Sequence, residues 1–274
     1  MAGMLYLVPT PIGNLGDISQ RCHDTLAQAD FIAAEDTRVT LKLLNYMELR
    51  KPLVSYYEHN KAFKGEKILE RILAGETCAL VSDAGSPAIS DPGEDLVRQC
   101  AESGVTVCAI PGPCAVITAL SISGLPTGRF TFEGFLSTAK KSRMEHLESL
   151  KGETRTMVFY EAPHKLLHTL NDMAASFGPD RRISLCRELT KLHEEVVRTT
   201  LGQAIERYSE TPPKGEFVLV LAGAAAVPAE SYTLEDAVEM ARSLMEEGQS
   251  RKEAAKQAAQ KTGHPKKSIY DATL

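Results

Sequence analysis

The residues best placed to do chemistry lie in Val81-Ser82-Asp83-Ala84-Gly85-Ser86-Pro87-Ala88-Ile89-Ser90-Asp91-Pro92-Gly93, directly after the apolar run Cys78 to Val81. A buried strand cannot continue its ladder through Asp-x-Gly-x-Pro, because proline lacks a donor and glycine admits backbone angles closed to other residues. The chain turns outward at the strand's carboxyl end, the edge where open α/β sheets hold ligands. It carries a carboxylate, free peptide groups and little bulk there, which suits a small ligand held by backbone and carboxylate contacts. A plainer reading is a strand-to-helix connection, with Asp91 as N-cap, Pro92 first in the helix and Glu94 closing a capping box. That accounts for Asp91 to Glu94 and leaves Asp83 to Ser86 unexplained.

Two more strand ends are punctuated alike. Leu5 to Val8 runs into Pro9-Thr10-Pro11-Ile12-Gly13-Asn14, and Val105 to Ile110 runs into Pro111-Gly112-Pro113-Cys114-Ala115. In the latter, Gly112 reads as the cap of a helix that starts at Pro113 and continues through Val116, Ile117 and Leu120. None of the three carries G-x-G-x-x-G or G-x-x-x-x-G-K-[ST], which disfavours a nucleoside triphosphate or a nicotinamide cofactor. The seven histidines form no H-E-x-x-H or Cys/His cluster, so no metal is expected. Six cysteines without a C-x-x-C pair, several inside apolar runs, read as buried free thiols. The absence of tryptophan, with 6% aromatic residues, argues against a broad stacking surface for single-stranded nucleic acid.

The elements that must position these loops follow from periodicity. Strands are predicted at Met4 to Val8, Phe31 to Ala34, Leu53 to Tyr56, Cys78 to Ser82 and Val105 to Ile110, with helices around Ile18 to Ala29, Arg38 to Tyr46, Gly65 to Ala74 and Gly93 to Ser103. This βαβ series predicts a mostly parallel sheet in an α/β domain over residues 1–128, ended by Gly124-Leu125-Pro126-Thr127-Gly128. A second, mixed α/β domain over 129–228 is predicted from strands at Thr156 to Tyr160, Arg182 to Cys186, Glu194 to Thr200 and Glu216 to Leu221, with helices at Pro163 to Phe177 and Gly202 to Glu210. The short link Arg187 to His193 implies an antiparallel pair.

After the loose run Ala222 to Ser231, residues 232–274 form a small helical segment with helix-turn-helix-like spacing. Thr233 with Asp236 and Ser250 with Glu253 open helices, Gly263 ends one, and Pro265 starts a third. Residues 250–274 hold six Lys or Arg and two Asp or Glu, a net of +4, so the remainder of a −5 chain carries −9. The basic tail either contacts nucleic acid or merely packs. Apolar runs are strand-length, too short for a membrane helix, and no basic-then-apolar leader begins the chain, so a cytoplasmic protein without membrane contact is expected.

With these residues in view, the chain resembles the tetrapyrrole methylase superfamily, and within it the branch that modifies ribosomal RNA. The resemblance is carried by Pro9 to Leu15, Ala34-Glu35-Asp36-Thr37-Arg38, Ser82 to Gly93, Ile110 to Ala115, Phe132-Glu133-Gly134-Phe135, Phe159-Tyr160-Glu161, Arg187-Glu188-Leu189-Thr190-Lys191 and Gly215-Glu216-Phe217-Val218. The first loop departs from the G-x-G-P-G-D of tetrapyrrole-modifying members, and Asp83-Ala84-Gly85-Ser86-Pro87 departs from their Gly-Asp-Pro. Both departures point to the RNA branch. The resemblance implies two α/β domains with S-adenosyl-L-methionine in the cleft between them. It also implies methylation of a cytidine ribose 2′-hydroxyl in small-subunit (16S) ribosomal RNA, within the assembled subunit, and a homodimer. The cofactor would be lined by Ile12, Gly13, Asp83, Gly85, Ser86, Cys114, Ala115, Tyr160 and Phe217.

A ribose hydroxyl is a weak nucleophile, so a group that accepts its proton or steadies the alkoxide is sought. Glu35 and Asp36 are the carboxylate candidates, with Lys191 as a third catalytic candidate. Arg38 and Arg187 are candidates for phosphate, and Arg251, Lys252 and Lys266 for RNA contact from the tail. A base-free reaction driven by positioning stays open. Two other readings stand beside this one: a tetrapyrrole or protein side-chain methyltransferase of the same superfamily, and a non-enzymatic regulator carrying a helix-turn-helix.

Overall fold

The computed structural model describes residues 3–58, 61–225 and 232–273. Its first sheet has five strands, β1 (Met4–Leu7), β2 (Phe31–Ala34), β3 (Leu53–Ser55), β4 (Cys78–Val81) and β5 (Thr106–Ala109), in the order β3-β2-β4-β1-β5 and parallel throughout. The strands β2 and β4 are buried at every position, which is why they read as unbroken apolar runs rather than alternating ones. Between the strands run α1 (Gln20–Gln28), α2 (Thr37–Tyr46), α3 (Lys61–Leu73) and α4 (Glu94–Glu102). Apolar clusters cover both faces, one around Leu5, Phe31, Ile72 and Leu96, the other around Val8, Leu26, Ile32 and Leu44. A parallel sheet delivers the loops after β1, β2, β4 and β5 to one edge.

After α5 (Ala115–Ile122) a second five-stranded sheet follows. It comprises β6 (Phe130–Phe135), β7 (Thr156–Glu161), β8 (Arg182–Arg187), β9 (Glu195–Thr200) and β10 (Phe217–Leu221), in the order β6-β7-β10-β8-β9. Only β6 and β7 are parallel, and β8 pairs antiparallel with β9 as its short link requires. One face packs on α6 (Lys140–Ser149), α7 (Pro163–Phe177) and α8 (Leu201–Glu210). The other receives Val116, Ala119 and Leu120 of α5 against Val158, Cys186, Val218 and Val220. The helix that leaves the first sheet is thus an apolar plug in the second. Both sheets fall in one compact unit, Met1–Ala224, and Ala225–Leu274 forms another.

In the second unit α9 (Leu234–Glu246) opens with the expected Thr233/Asp236 capping box, and α10 (Arg251–Thr262) opens on Ser250 and closes on left-handed Gly263. With α11 (Lys266–Ala272) they close over a core of small residues, Ala237, Ala241, Ala254, Ala255 and Ala258, with Ile269. Of the loose run Ala222 to Ser231, and of the 228 limit set for the second domain, residues 226–231 lie outside the described residues.

The sequence misplaced some boundaries. The N-cap of α4 is Gly93, not Asp91, and α4 starts at Glu94. Gly93 has φ 152°, and a Cβ there would lie 2.9 Å from Leu80 and 3.0 Å from Ala88, so the chain can enter the helix only through a glycine. Asp91 is thereby released from capping. Likewise α5 starts at Ala115 behind Cys114 rather than at Pro113, and Gly112 packs on Pro9 instead of capping. Strand β6 and helix α6 were not anticipated. Gly134 puts a register shift into β6, and the inward face of α6 is carried by a charged residue, Arg143, beside Leu147.

Arg143 is buried, donating through Nε to Asp172 of α7 at 2.7 Å and through Nη1 to the carbonyls of Ser137 and Thr138. Removing one partner of such a pair leaves the other as an uncompensated buried charge. Arg143→Ala should therefore lower unfolding stability by about 3–5 kcal/mol, read from the urea midpoint. A loss below about 1 kcal/mol, the range of exposed pairs, would show that Asp172 is rehydrated instead.

Candidate active site

The strand-end loops are bonded to one another. Thr10 and Gly85 exchange two backbone hydrogen bonds, Thr10 N–H to Gly85 O at 2.9 Å and Gly85 N–H to Thr10 O at 3.0 Å. The buried Thr10 hydroxyl donates to Ser82 O at 3.1 Å, and the Ser86 hydroxyl reaches Pro113 O at 3.0 Å, which ties the second loop to the third. From the end of β2, the Asp36 amide donates to Asp83 Oδ1 at 3.0 Å while the Asp83 amide donates to Glu35 Oε2 at 3.3 Å. Four loops thus form one hydrogen-bonded rim. Two non-glycine residues of this rim, Ala88 (φ 66°) and Ser90 (φ 64°), hold left-handed backbone, a local strain that the surrounding bonds must sustain.

Behind the rim lies a cavity of about 520 Å³, a size typical of ligand sites. The first sheet contributes Ile12, Glu35, Asp83 to Ser86, Ile89 to Asp91, Cys114 and Ala115; the second contributes Phe135, Tyr160 to Pro163, Cys186, Leu189 and Glu216 to Val218. Five of these are carboxylic acids and none is Lys or Arg. Burial raises Asp91 to about 6, with repulsion from Glu35 and Asp83 adding to it and the Ser82 hydroxyl opposing. Burial likewise raises Glu35, against the Asp83 amide and with the charges of Asp83 and Asp36. Asp83 is raised by burial too, against the Asp36 amide. Glu161 accepts from the Ala162 amide at 2.8 Å and the Thr169 hydroxyl at 2.5 Å.

An aromatic wall faces the acidic one. Tyr160 sits 5.1 Å from the Phe132 ring and 5.3 Å from Phe135, which is itself 59% exposed. Burial pushes the Tyr160 phenol up, so it stays a neutral donor. A cavity with carboxylates on one side, rings on the other and no basic residue repels polyphosphates and favours a flat, cationic ligand.

Eight of the nine residues expected to line the cofactor do line this cavity: Ile12, Asp83, Gly85, Ser86, Cys114, Ala115, Tyr160 and Phe217. Gly13 does not. It lies on the other side of the first loop, against the Lys191 side chain, where an added Cβ would meet Lys191 Cγ at 2.5 Å. Glu35 lines the cavity, but Asp36 does not. Asp36 caps α2 and is held down to about 2 by Arg38, whose Nε and Nη2 grip its two oxygens, so it is a poor proton acceptor and Arg38 is already engaged.

The other cations expected at the site are also occupied or remote. Lys191 Nζ binds Glu188 at 2.8 Å and Glu216 at 2.9 Å; burial opposes its charge, but these bonds outweigh it and hold the ammonium protonated. It borders the cavity through Glu216 and is no base. Arg187 pairs with Glu195 at 3.2 Å, outside the lining. In the separate unit, Arg251 is consumed in tying α10 to α11, through Thr273 at 3.1 Å and the Tyr270 carbonyl and ring, whereas Lys252 is exposed and Lys266 half-exposed. Among the described residues no group of three or more His, Cys, Asp or Glu is placed to hold a metal ion, and no helix is long and apolar enough to cross a membrane.

Sequence reasoning missed Asp91, disguised as a helix cap, and Phe135, although the stretch Phe132 to Phe135 was among the motifs carrying the resemblance. The signal for Asp91 was a second acid within one Gly- and Pro-bearing loop.

A doubly sheeted α/β body with its cavity at the strand ends defines a class. The family profile described as Tetrapyrrole (Corrin/Porphyrin) Methylases matches residues 4–205, and the chain belongs to that family. Among solved structures it is similar to uroporphyrin-III C-methyl transferase from Thermus thermophilus complexed with S-adenyl homocysteine (TM-score 0.57, 16% identity, 80% of this chain and 97% of that one). It is also similar to the methyltransferase CobJ (TM-score 0.60, 18% identity, 82% and 95%). At such identities the likeness is one of fold. Much nearer in sequence is Ribosomal RNA small subunit methyltransferase I of Synechocystis sp., 48% identical over 272 residues, covering 99% of this chain and 98% of that one. The protein of the same name from Bacillus subtilis is 47% identical over 274 residues, with 98% and 94% covered.

Two predictions follow from this geometry. Gly85 has φ 86° and its Cβ would meet Ile12 Cγ2 at 3.2 Å. Gly85→Val should therefore abolish S-adenosylmethionine binding in a folded protein, measured by calorimetry beside thermal unfolding; retained affinity would remove this loop from the site. The second concerns Asp91, whose carboxyl is raised from 3.8 to about 6. A raised acid stabilises the fold below its unfolded value and loses that contribution as pH rises through its folded value. Asp91→Asn should thus gain on the wild type by about 1–3 kcal/mol between about pH 4 and about pH 7. Urea unfolding at both pH values checks this, and a pH-independent difference would contradict it.

Proposed function

We propose that this chain is an S-adenosylmethionine-dependent methyltransferase that methylates the ribose 2′-hydroxyl of a cytidine in 16S ribosomal RNA. The observation that carries the reading is the cavity of carboxylates and aromatic rings with no Lys or Arg in its lining. A sulfonium ligand relieves the crowding of Glu35, Asp83 and Asp91, whereas a phosphate would worsen it. Relatives matched along nearly their whole length and named for small-subunit ribosomal RNA support the substrate class. Their agreement favours this reading over a tetrapyrrole or protein substrate and over a helix-turn-helix regulator.

In this reading Ile12, Gly85, Ser86, Ala115, Tyr160 and Phe217 would hold the cofactor, and the acidic Asp83 and Asp91 would suit its positive charge. The cofactor supplies an electrophilic methyl group. What the protein supplies is orientation through a rim already bonded together, which can remove a large part of such a barrier. Glu35 is the proton acceptor for the hydroxyl, because its raised carboxyl lies in the lining while Asp36 is locked to Arg38. Lys191, held charged beside Glu216, steadies negative charge at the cavity's edge. The exposed Lys252, Lys256 and Lys267, with Lys266, give the C-terminal unit its RNA-binding role. We further place the protein in the cytoplasm, as a homodimer that acts on the assembled small subunit.

A net charge of −5 leaves little non-specific phosphate attraction, so a target already ordered in a particle compensates by reducing the entropy lost on binding. Transfer of labelled methyl groups should therefore be faster on assembled small subunits than on naked small-subunit RNA, and digestion of the product should yield 2′-O-methylcytidine. Equal or faster turnover on naked RNA would sink the particle preference. Label on a base or a protein would sink the substrate assignment.

A further inference from the structure

A second cavity, of about 300 Å³, lies against the first and shares Asp83 with it. Its two walls are the first loop, through Pro11, Gly13 and Leu15, and the outer face of α2, through Val39, Lys42 and Tyr46. Positions 39, 42 and 46 share one side of a helix by their spacing. Asp83 lines both cavities, and Ile12 and Gly13, adjacent in sequence, line one each, so the first loop is the partition between them.

The contents of this second cavity are the reverse of the first. It holds a cation, Lys42, which is exposed and has no ion pair or hydrogen bond among the described residues. It also holds large apolar surface left open to solvent: Tyr46 is 59% exposed, Leu15 44% and Val39 39%. The Tyr46 ring and hydroxyl likewise have no partner among the described residues. On the floor, Asp83 Oδ1 is taken by the Asp36 amide, while its other oxygen accepts no hydrogen bond among the described residues.

A free aromatic face, a free ammonium about one helical turn away and an acceptor carboxylate are the groups that recognise a nucleotide, by stacking, by phosphate pairing and by accepting from an amino or hydroxyl group. We propose that this cavity seats the unpaired pyrimidine ribonucleotide that receives the methyl group, its base against Tyr46 and its phosphate at Lys42. The assignment rests on the RNA-methylation reading and adds to it where the acceptor sits. A volume at the lower end for ligand sites suits one extruded nucleotide better than a longer segment. Asp83, common to both cavities, then marks where the ribose hydroxyl meets the cofactor.

The test compares the wild type with Tyr46→Ala, Tyr46→Phe and Lys42→Ala. The first measurement is anisotropy of a labelled, single-stranded cytidine-containing oligoribonucleotide at low salt; the second is methyl transfer to small subunits; calorimetry with S-adenosylmethionine accompanies both. Tyr46→Ala should weaken oligonucleotide binding by about fivefold or more, the lower bound for stacking one base. It should raise KM for small subunits and leave cofactor affinity unchanged, and Tyr46→Phe should restore binding to within about twofold because a phenyl ring still stacks. Lys42→Ala should flatten the salt dependence of binding. Unchanged affinity and KM in Tyr46→Ala would overturn the assignment, as would a wild type that binds cofactor but no RNA. Binding of RNA through Tyr46 without any binding of S-adenosylmethionine would instead overturn the methyl-transfer reading and leave the nucleotide seat standing.

Discussion

Two backbone hydrogen bonds between Thr10 and Gly85 are the constraint on which the rest of the site depends. They join the loop after β1 to the loop after β4, neighbouring strands whose parallel pairing already sets the register of the two loops. Once that bridge is made, Ser86 reaches Pro113 and draws in the third loop, and Asp83 exchanges bonds with Glu35 and Asp36 from the end of β2. Loops of proline and glycine are chosen for this because their own conformational entropy is low or their backbone angles are special, and cross-bonding removes much of what freedom remains. The first-sheet half of the cavity wall is accordingly rich in small residues, Ala84, Gly85, Ser86, Ser90, Cys114 and Ala115.

The electrostatics follow from the same economy of side chains. With Arg38 spent on Asp36, Lys191 on Glu188 and Glu216, and Arg187 on Glu195, no cation lines the cavity beside Glu35, Asp83 and Asp91. The protein holds these acids at a desolvation cost, and a positively charged ligand is the natural means of recovering it. For a sulfonium cofactor the same carboxylates would favour the charged form over the neutral sulfide left after transfer.

Much of this was legible in the chain. Strand ends followed by proline and glycine can be read because those residues act locally, and the loops after β1, β4 and β5 were located to within one or two residues on that basis. What escaped depended on side-chain contacts, most of them distant in sequence. Asp91-Pro92-Gly93-Glu94 imitates a capped helix start, and only the approach of Leu80 and Ala88 to Gly93 shifts the cap and frees the acid. The helix α6 shows only a weak apolar stripe because its buried face carries, beside Leu147, an arginine whose partner lies on α7. Asp36 and Glu35 are adjacent and chemically alike, and only the reach of Arg38 two residues on decides that one is locked and the other available. The second cavity required α2 and the first loop to be seen together, since Tyr46 and Leu15 are ordinary residues in either segment alone.

The central claim is that the rim is organised before any ligand arrives, and amide hydrogen exchange of the ligand-free protein tests it most directly. The Gly85 and Thr10 amides, each bonded across the bridge, should be protected to the degree of the amides in β4, and addition of S-adenosylmethionine should change them little. Rapid exchange at both amides without ligand, with protection gained only when S-adenosylmethionine is added, would contradict the account, because the cofactor would then be building the site that is held here to await it.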